Sequence, residues 1–132
     1  MKVLMDTHAW VWWITGSDRL STRAKTAIRK AADDGHLLLS AISVWEVAKL
    51  QSKHRLQLDR EVEDWIEQAL EIPGLTLVPL TPKIACRSCC LPPPFHDDPA
   101  DQILVATARM EGATLLTADA KIRDYPHCPT LW

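Results

Sequence analysis

A chain of 132 residues has length for one domain around a sizeable core, and 47% apolar with 24% charged residues excludes a disordered protein. The formal net charge of −2 lacks the basic excess of a protein that holds nucleic acid by bulk charge. No run approaches the roughly 18 apolar residues of a membrane helix and the N-terminus lacks a signal peptide's layout, so one cytoplasmic domain over 1–132 is expected, with no membrane partner.

In chain order, KVLM (2–5) predicts a strand and HAWVWWIT (8–15) a helix. STRAKTAIRKAADDG (21–35) reads as a helix with Ser21 as N-cap and Gly35 as its stop. HLLLS (36–40) is a second strand, AISVWEVAKLQSK (41–53) a helix, and REVEDWIEQALE (60–71) another, ended by Pro73-Gly74. LTLVPL (75–80) is a third strand whose Pro79 marks an edge or a strand end. TPKIACRSCCL (81–91) follows as a helix, then the PPPFHDD loop and the helix PADQILVATARME (99–111), which Gly112 stops. TLLT (114–117) is a fourth strand, AKIRDY (120–125) a short helix and PTLW (129–132) a last strand. Strands separated by helices imply an α/β fold, a mostly parallel sheet covered on both faces.

Three cysteines in CRSCC (Cys86, Cys89, Cys90) and a distant Cys128 do not make a disulfide framework. Cys86 and Cys89 have zinc-ligand spacing that His127 and Cys128 would complete, but the segment reads better as a helix whose small apolar face includes the cysteines. The basic groups Arg19, Arg23, Lys25, Arg29, Lys30 and Lys49, Lys53, His54, Arg55 read as solvated helix faces. Six tryptophans stand against one Phe and one Tyr. Most belong in a core; an exposed one would suit base stacking or a partner's apolar helix.

In open parallel sheets, sites form beyond the carboxyl ends of the strands. Asp6 follows the first strand, Asp119 the fourth, Asp101 lies at the start of the helix 99–111, and Glu46 lies in the helix after the second strand. Each has an ordinary explanation. Asp6 and Asp119 suit helix N-caps, Asp98 before Pro99 is a complete helix start, Asp101 gains from the helix dipole, and Glu46 shares a face with Lys49 and Lys53. As a set they are harder to dismiss, because carboxylates gathered at one sheet edge repel unless a hard cation such as Mg²⁺ or Mn²⁺ binds them. Paired ions of that kind run in-line phosphodiester cleavage. Neither a GxSxG nor a GxxxxGK[ST] motif occurs.

MDTHAWVWWITGSDRLS, LLLSAISVWEVAKL and HDDPADQILVATARMEGATLLTADAKI, in that order, resemble the PIN-domain family, most of all its VapC-type toxins. The resemblance spans nearly the whole chain. It implies an α/β/α sandwich and a ribonuclease dependent on Mg²⁺ or Mn²⁺. It also implies an RNA substrate, a small cognate antitoxin that occludes the site, and a toxin homodimer within a larger assembly. Carried over residue by residue, the metal-binding and catalytic set is Asp6, Glu46, Asp101 and Asp119, with Thr7 and Thr117 as supporting hydroxyls. Family members often carry Arg directly after the third acid; here it is Gln102. Two other readings stay open. An aspartyl-phosphate phosphotransferase would use Asp6 as nucleophile, although it wants a second Asp where His8 stands, and a PIN-like module binding RNA or protein would have no catalysis at all.

Overall fold

A computed structural model describes residues 1–132. Its five strands, β1 (Val3–Met5), β2 (Leu37–Ser40), β3 (Leu75–Val78), β4 (Thr114–Leu116) and β5 (Thr130–Leu131), form one sheet in the order β3-β2-β1-β4-β5. Every pairing is parallel. The intervening helices are α1 (Thr7–Thr15), α2 (Thr22–Asp33), α3 (Ala41–Ser52), α4 (Val62–Ala69), α5 (Pro82–Ser88), α6 (Pro99–Glu111) and α7 (Ala120–Arg123). None of them is long and apolar enough to cross a membrane.

The strands split the core in two by their alternation. Val3, Met5, Leu37 and Leu39 face one layer with Trp10, Ile28 and Trp65, from α1, α2 and α4. Leu4, Leu38 and Leu115 face the other, with Ile84, Leu104 and Ile122 from α5, α6 and α7. Leucines buried this fully each contribute about 1.5–3 kcal/mol, and burial on both faces explains why β1 and β2 read as unbroken apolar runs. The result is the expected α/β/α sandwich.

Trp10 is fully buried and ties α1 to α4: its Nε1 donates to the Ala69 carbonyl at 3.0 Å and its ring meets Trp65 edge-on at 5.4 Å. Trp12, Trp13 and Trp132 are half-buried, so the exposed tryptophan is Trp45 on α3, at 55%. Gly74 turns the chain into β3 at φ 83°, where a Cβ would stand 1.9 Å from the Ala32 carbonyl oxygen.

Two expectations need correction. Helix α4 is shorter at both ends than 60–71: Glu61 is its N-cap, and the chain leaves the helix at Leu70, ahead of Ile72, which Pro73 steers away from helical geometry. Cys86, Cys89 and Cys90 are exposed rather than on an apolar face: α5 buries Ile84 and Ser88, and only Cys128 is interior.

Candidate active site

Strand β1 lies between β2 and β4, so connections leave it in both directions and a crevice opens at the carboxyl ends of β1 and β4. Asp6 stands there. Its N–H donates to the Leu116 carbonyl at 2.9 Å, which fixes it to the end of β4. It is also the N-cap of α1, with Oδ1 accepting from the His8 N–H at 3.4 Å. Oδ2 accepts from the Thr117 hydroxyl at 2.6 Å, and that fully buried hydroxyl in turn accepts from the Asp119 N–H at 3.0 Å. Asp119 caps α7, Oδ1 taking the Lys121 N–H at 2.9 Å. Both aspartates therefore cap helices and also share one threonine.

Glu46 arrives from α3, which starts at its N-cap Ser40 and packs against both α1 and α6. It forms no pair with Lys49 or Lys53. Its Oε1 accepts instead from the buried Thr7 hydroxyl at 2.5 Å. Ser43 lies 2.8 Å from that hydroxyl; since Thr7 has one proton and gives it to Glu46, Ser43 donates to Thr7. Asp101 occupies the third position of α6, whose N-cap is Asp98: the Asp98 side chain accepts from the Asp101 N–H at 3.1 Å. That leaves the Asp101 side chain free of capping duty, and its Oδ2 lies 2.7 Å from His96 Nε2. Gln102 donates to the His96 carbonyl at 3.0 Å, so the residue standing where an arginine is common pins the loop that presents His96.

The acids feel one another. Burial raises the Asp6 carboxyl above its ordinary value, against the Thr117 hydrogen bond, and Asp119 raises it further. Burial lifts Glu46 to about 7; the Thr7 hydrogen bond opposes this, and the charges of Asp6, Asp101 and Asp98 add to it. Asp101 is raised by burial, lowered by His96, and raised again by Asp98, Asp6 and Asp119. Asp6, Glu46 and Asp101 are thus each raised by neighbouring carboxylates, with Asp119 acting on Asp6 and Asp101 and Asp6 acting on Glu46 and Asp101.

They do not form a preassembled ligand shell: no three His, Cys, Asp or Glu side chains are placed to hold an ion as they stand. Three of the four have an oxygen engaged by Thr117, Thr7 or His96. The donors are carboxylate oxygens in a field short of positive charge, and that chemistry fits a hard divalent cation such as Mg²⁺ or Mn²⁺ rather than one wanting sulfur.

Ser43 and His96 belong to the site and were not singled out from the sequence. Their signals were present: Ser43 is a polar residue one turn before Glu46 in an apolar run, and His96 stands five residues before Asp101.

Comparison with known proteins identifies the family and the fold. The PIN domain family matches residues 3–127. The chain is 38% identical over 125 residues to Ribonuclease VapC22 of Mycobacterium tuberculosis strain H37Rv, covering 95% of this chain and 92% of that protein. The fold is similar to VapBC2 from Rickettsia felis, solved bound to a DNA fragment from its promoter, with a TM-score of 0.70 at 16% identity over 99% of this chain and 98% of that one. A toxin–antitoxin complex from Klebsiella pneumoniae gives a TM-score of 0.67 at 19% identity, covering 99% and 97%.

Proposed function

The chain belongs to the PIN-domain family, and we propose from that premise that it is a metal-dependent endoribonuclease, the toxin of a type II toxin–antitoxin pair acting in the cytoplasm. The observation that supports this reading is the tie of Asp6 and Asp119 through Thr117 at the ends of β1 and β4, beside α3 and α6, whose Glu46 and Asp101 are both raised by the Asp6 charge. These four acids are assigned as the holders of Mg²⁺ or Mn²⁺. Held by these residues, such a cation would offset the charge of the phosphodiester and would lower the pKa of a water enough to supply a nucleophile near neutral pH.

The protein's own groups prepare the place. Thr117 and Thr7 orient Asp6 and Glu46 by donating to one oxygen of each, and His96 does the same service for Asp101. The partial burial that raises the carboxyl groups lowers the local dielectric and strengthens charge interactions within the crevice. Its partners are RNA, a small antitoxin that covers the crevice, and a second copy of this chain in a larger toxin–antitoxin assembly. Residues 1–132 act as one PIN-like domain.

The purified protein should cleave single-stranded or loop RNA with Mg²⁺ or Mn²⁺ and stop in EDTA, and Asp101→Asn should be inactive. Cleavage in EDTA by the wild type but not by Asp101→Asn would overturn the metal assignment. A stable phosphoenzyme at Asp6 would support the phosphotransferase instead. Expression alone should arrest growth of a bacterial host, and co-expression of the antitoxin should relieve the arrest.

A further inference from the structure

A pocket of about 270 Å³ opens beside the acids, with Asp6 and Asp119 on one side and His8, Trp12, Arg19 and Trp132 on the other. None of these last four is needed to hold a cation, yet the fold places each of them with care. The chain reverses after α1 at Gly16, whose φ is 68°. The returning Ser17 donates its N–H to the Trp12 carbonyl at 2.9 Å, and the Ser17 hydroxyl accepts from the Arg19 N–H at 3.2 Å. The Arg19 guanidinium is thereby brought over the Trp12 ring, 5.9 Å from its centroid. From the opposite edge, β5 is tied to the site when the Thr117 N–H donates to the Leu131 carbonyl at 3.2 Å. The next residue, Trp132, meets Trp12 edge-on at 5.7 Å.

We infer that this pocket is the subsite for the nucleotide adjoining the bond cut at the acids, with Arg19 pairing its phosphate and the Trp12–Trp132 pair offering an indole face to its base. The inference rests on the ribonuclease reading and adds how the strand is held. Three features select a nucleotide as occupant. Arg19 takes part in none of the molecule's ion pairs, so its fork of donors is available to a phosphate. The two indoles are half-buried and supply the apolar faces on which any base stacks, whatever its sequence. The pocket is also continuous with Asp6 and Asp119, so a strand whose phosphodiester lies at the acids must run its neighbouring nucleotide into or past it. Charge makes the same demand: the crevice is acidic, Gln102 brings no cation to it, and a polyanion needs one near at hand.

The test uses the full chain and a short, mixed-sequence, single-stranded RNA carrying a fluorophore. With Mn²⁺, Arg19→Ala and Trp132→Ala should each raise KM about 5- to 100-fold and lower kcat much less. Trp12→Ala should do the same, and Trp12→Phe, which keeps a smaller ring to stack, should raise KM less than Trp12→Ala does. Binding is read separately by fluorescence anisotropy in the non-cleaving Asp101→Asn background. There, Arg19→Ala should reduce the slope of log affinity against log salt by about 0.7, the share of one phosphate on a single strand, and Trp132→Ala should leave the slope alone. An abasic nucleotide next to the cleavage position should weaken binding unless Trp132 has already been replaced. An active wild type whose KM and affinity for RNA are untouched by both Arg19→Ala and Trp132→Ala would refute the subsite while sparing the ribonuclease. The same two variants losing antitoxin but not RNA would give the pocket to the protein partner and equally refute it. A wild type that cuts no RNA would strike the ribonuclease reading, and the anisotropy arm would still decide the subsite.

Discussion

Replacing Glu46 with Gln removes one charge from the crevice and keeps an oxygen for the Thr7 hydroxyl. The wild-type carboxyl has its folded-state value near 7 against an ordinary 4.5, so the folded protein holds this proton more tightly than the unfolded chain does. A raised carboxyl of this kind is neutral and harmless below pH 4.5, and its ionisation penalises folding increasingly as pH climbs to about 7. Converted in full, that difference would be about 3.4 kcal/mol. Glu46 is only half-buried, and solvent screening reduces the effect to about 1–2 kcal/mol. In EDTA at pH 8, Glu46→Gln should therefore be the more stable protein, melting roughly 3–8 °C above the wild type. The advantage should vanish near pH 4. Added Mn²⁺ should then reverse the order: a hundredfold excess over the dissociation constant stabilises the wild type by about 2.7 kcal/mol, and the variant, short of one ligand, should recover only part of it. Melts across pH, with and without metal, read all of this. A variant less stable than the wild type at pH 8 in EDTA, and equally responsive to Mn²⁺, would show that Glu46 is an ordinary surface-supported carboxylate and would remove it from the metal set.

Thr117→Val should cost about 1–3 kcal/mol in urea unfolding and lower RNA cleavage, because it strips hydrogen bonds from both Asp6 and Asp119, whereas Thr117→Ser should restore both readouts. Gly74→Ala should lose at least about 2 kcal/mol, since a positive φ is joined there by a collision with the Ala32 carbonyl; Gly16→Ala meets nothing within 4 Å and should lose only about 1 kcal/mol, so equal urea midpoints for the two would contradict the close approach.

The sequence told most about elements whose ends carry their own chemistry. Helix α6 matched its predicted span because Asp98, Pro99 and Gly112 mark its start and stop, and the strands stood out as short apolar runs between helices. Burial of individual side chains was less legible, because it depends on which face of a helix meets a neighbour. That choice exposes Cys86 and Cys89 while burying Ser88, and it leaves Trp45 in solvent while Trp10 is sealed. That the four acids could converge at one sheet edge was legible from their positions just after strands and in the helices that follow, whereas their ties to Thr7, Thr117 and His96 depend on contacts between distant segments. Capping and clustering had also looked like rival explanations for Asp6 and Asp119, yet a carboxylate has two oxygens, and one cap leaves the other free for a neighbour.

The central strand of the sheet is the first to be synthesised. Residues 3–5 pair on one side with 37–39, but their other edge waits for 114–116, and the Thr117–Asp6 bond closes a separation of 111 residues. Closing a loop of that length costs about 4 kcal/mol in chain entropy beyond the fixed cost of initiation, and it is recovered only when β4 docks. A nascent chain accordingly carries an unpaired, wholly apolar strand edge for most of its time on the ribosome. Synthesis interrupted between α6 and β4 yields a polypeptide with Asp6, Glu46 and Asp101 but without Asp119 or the Thr117 hydroxyl that ties Asp6 to the end of β4.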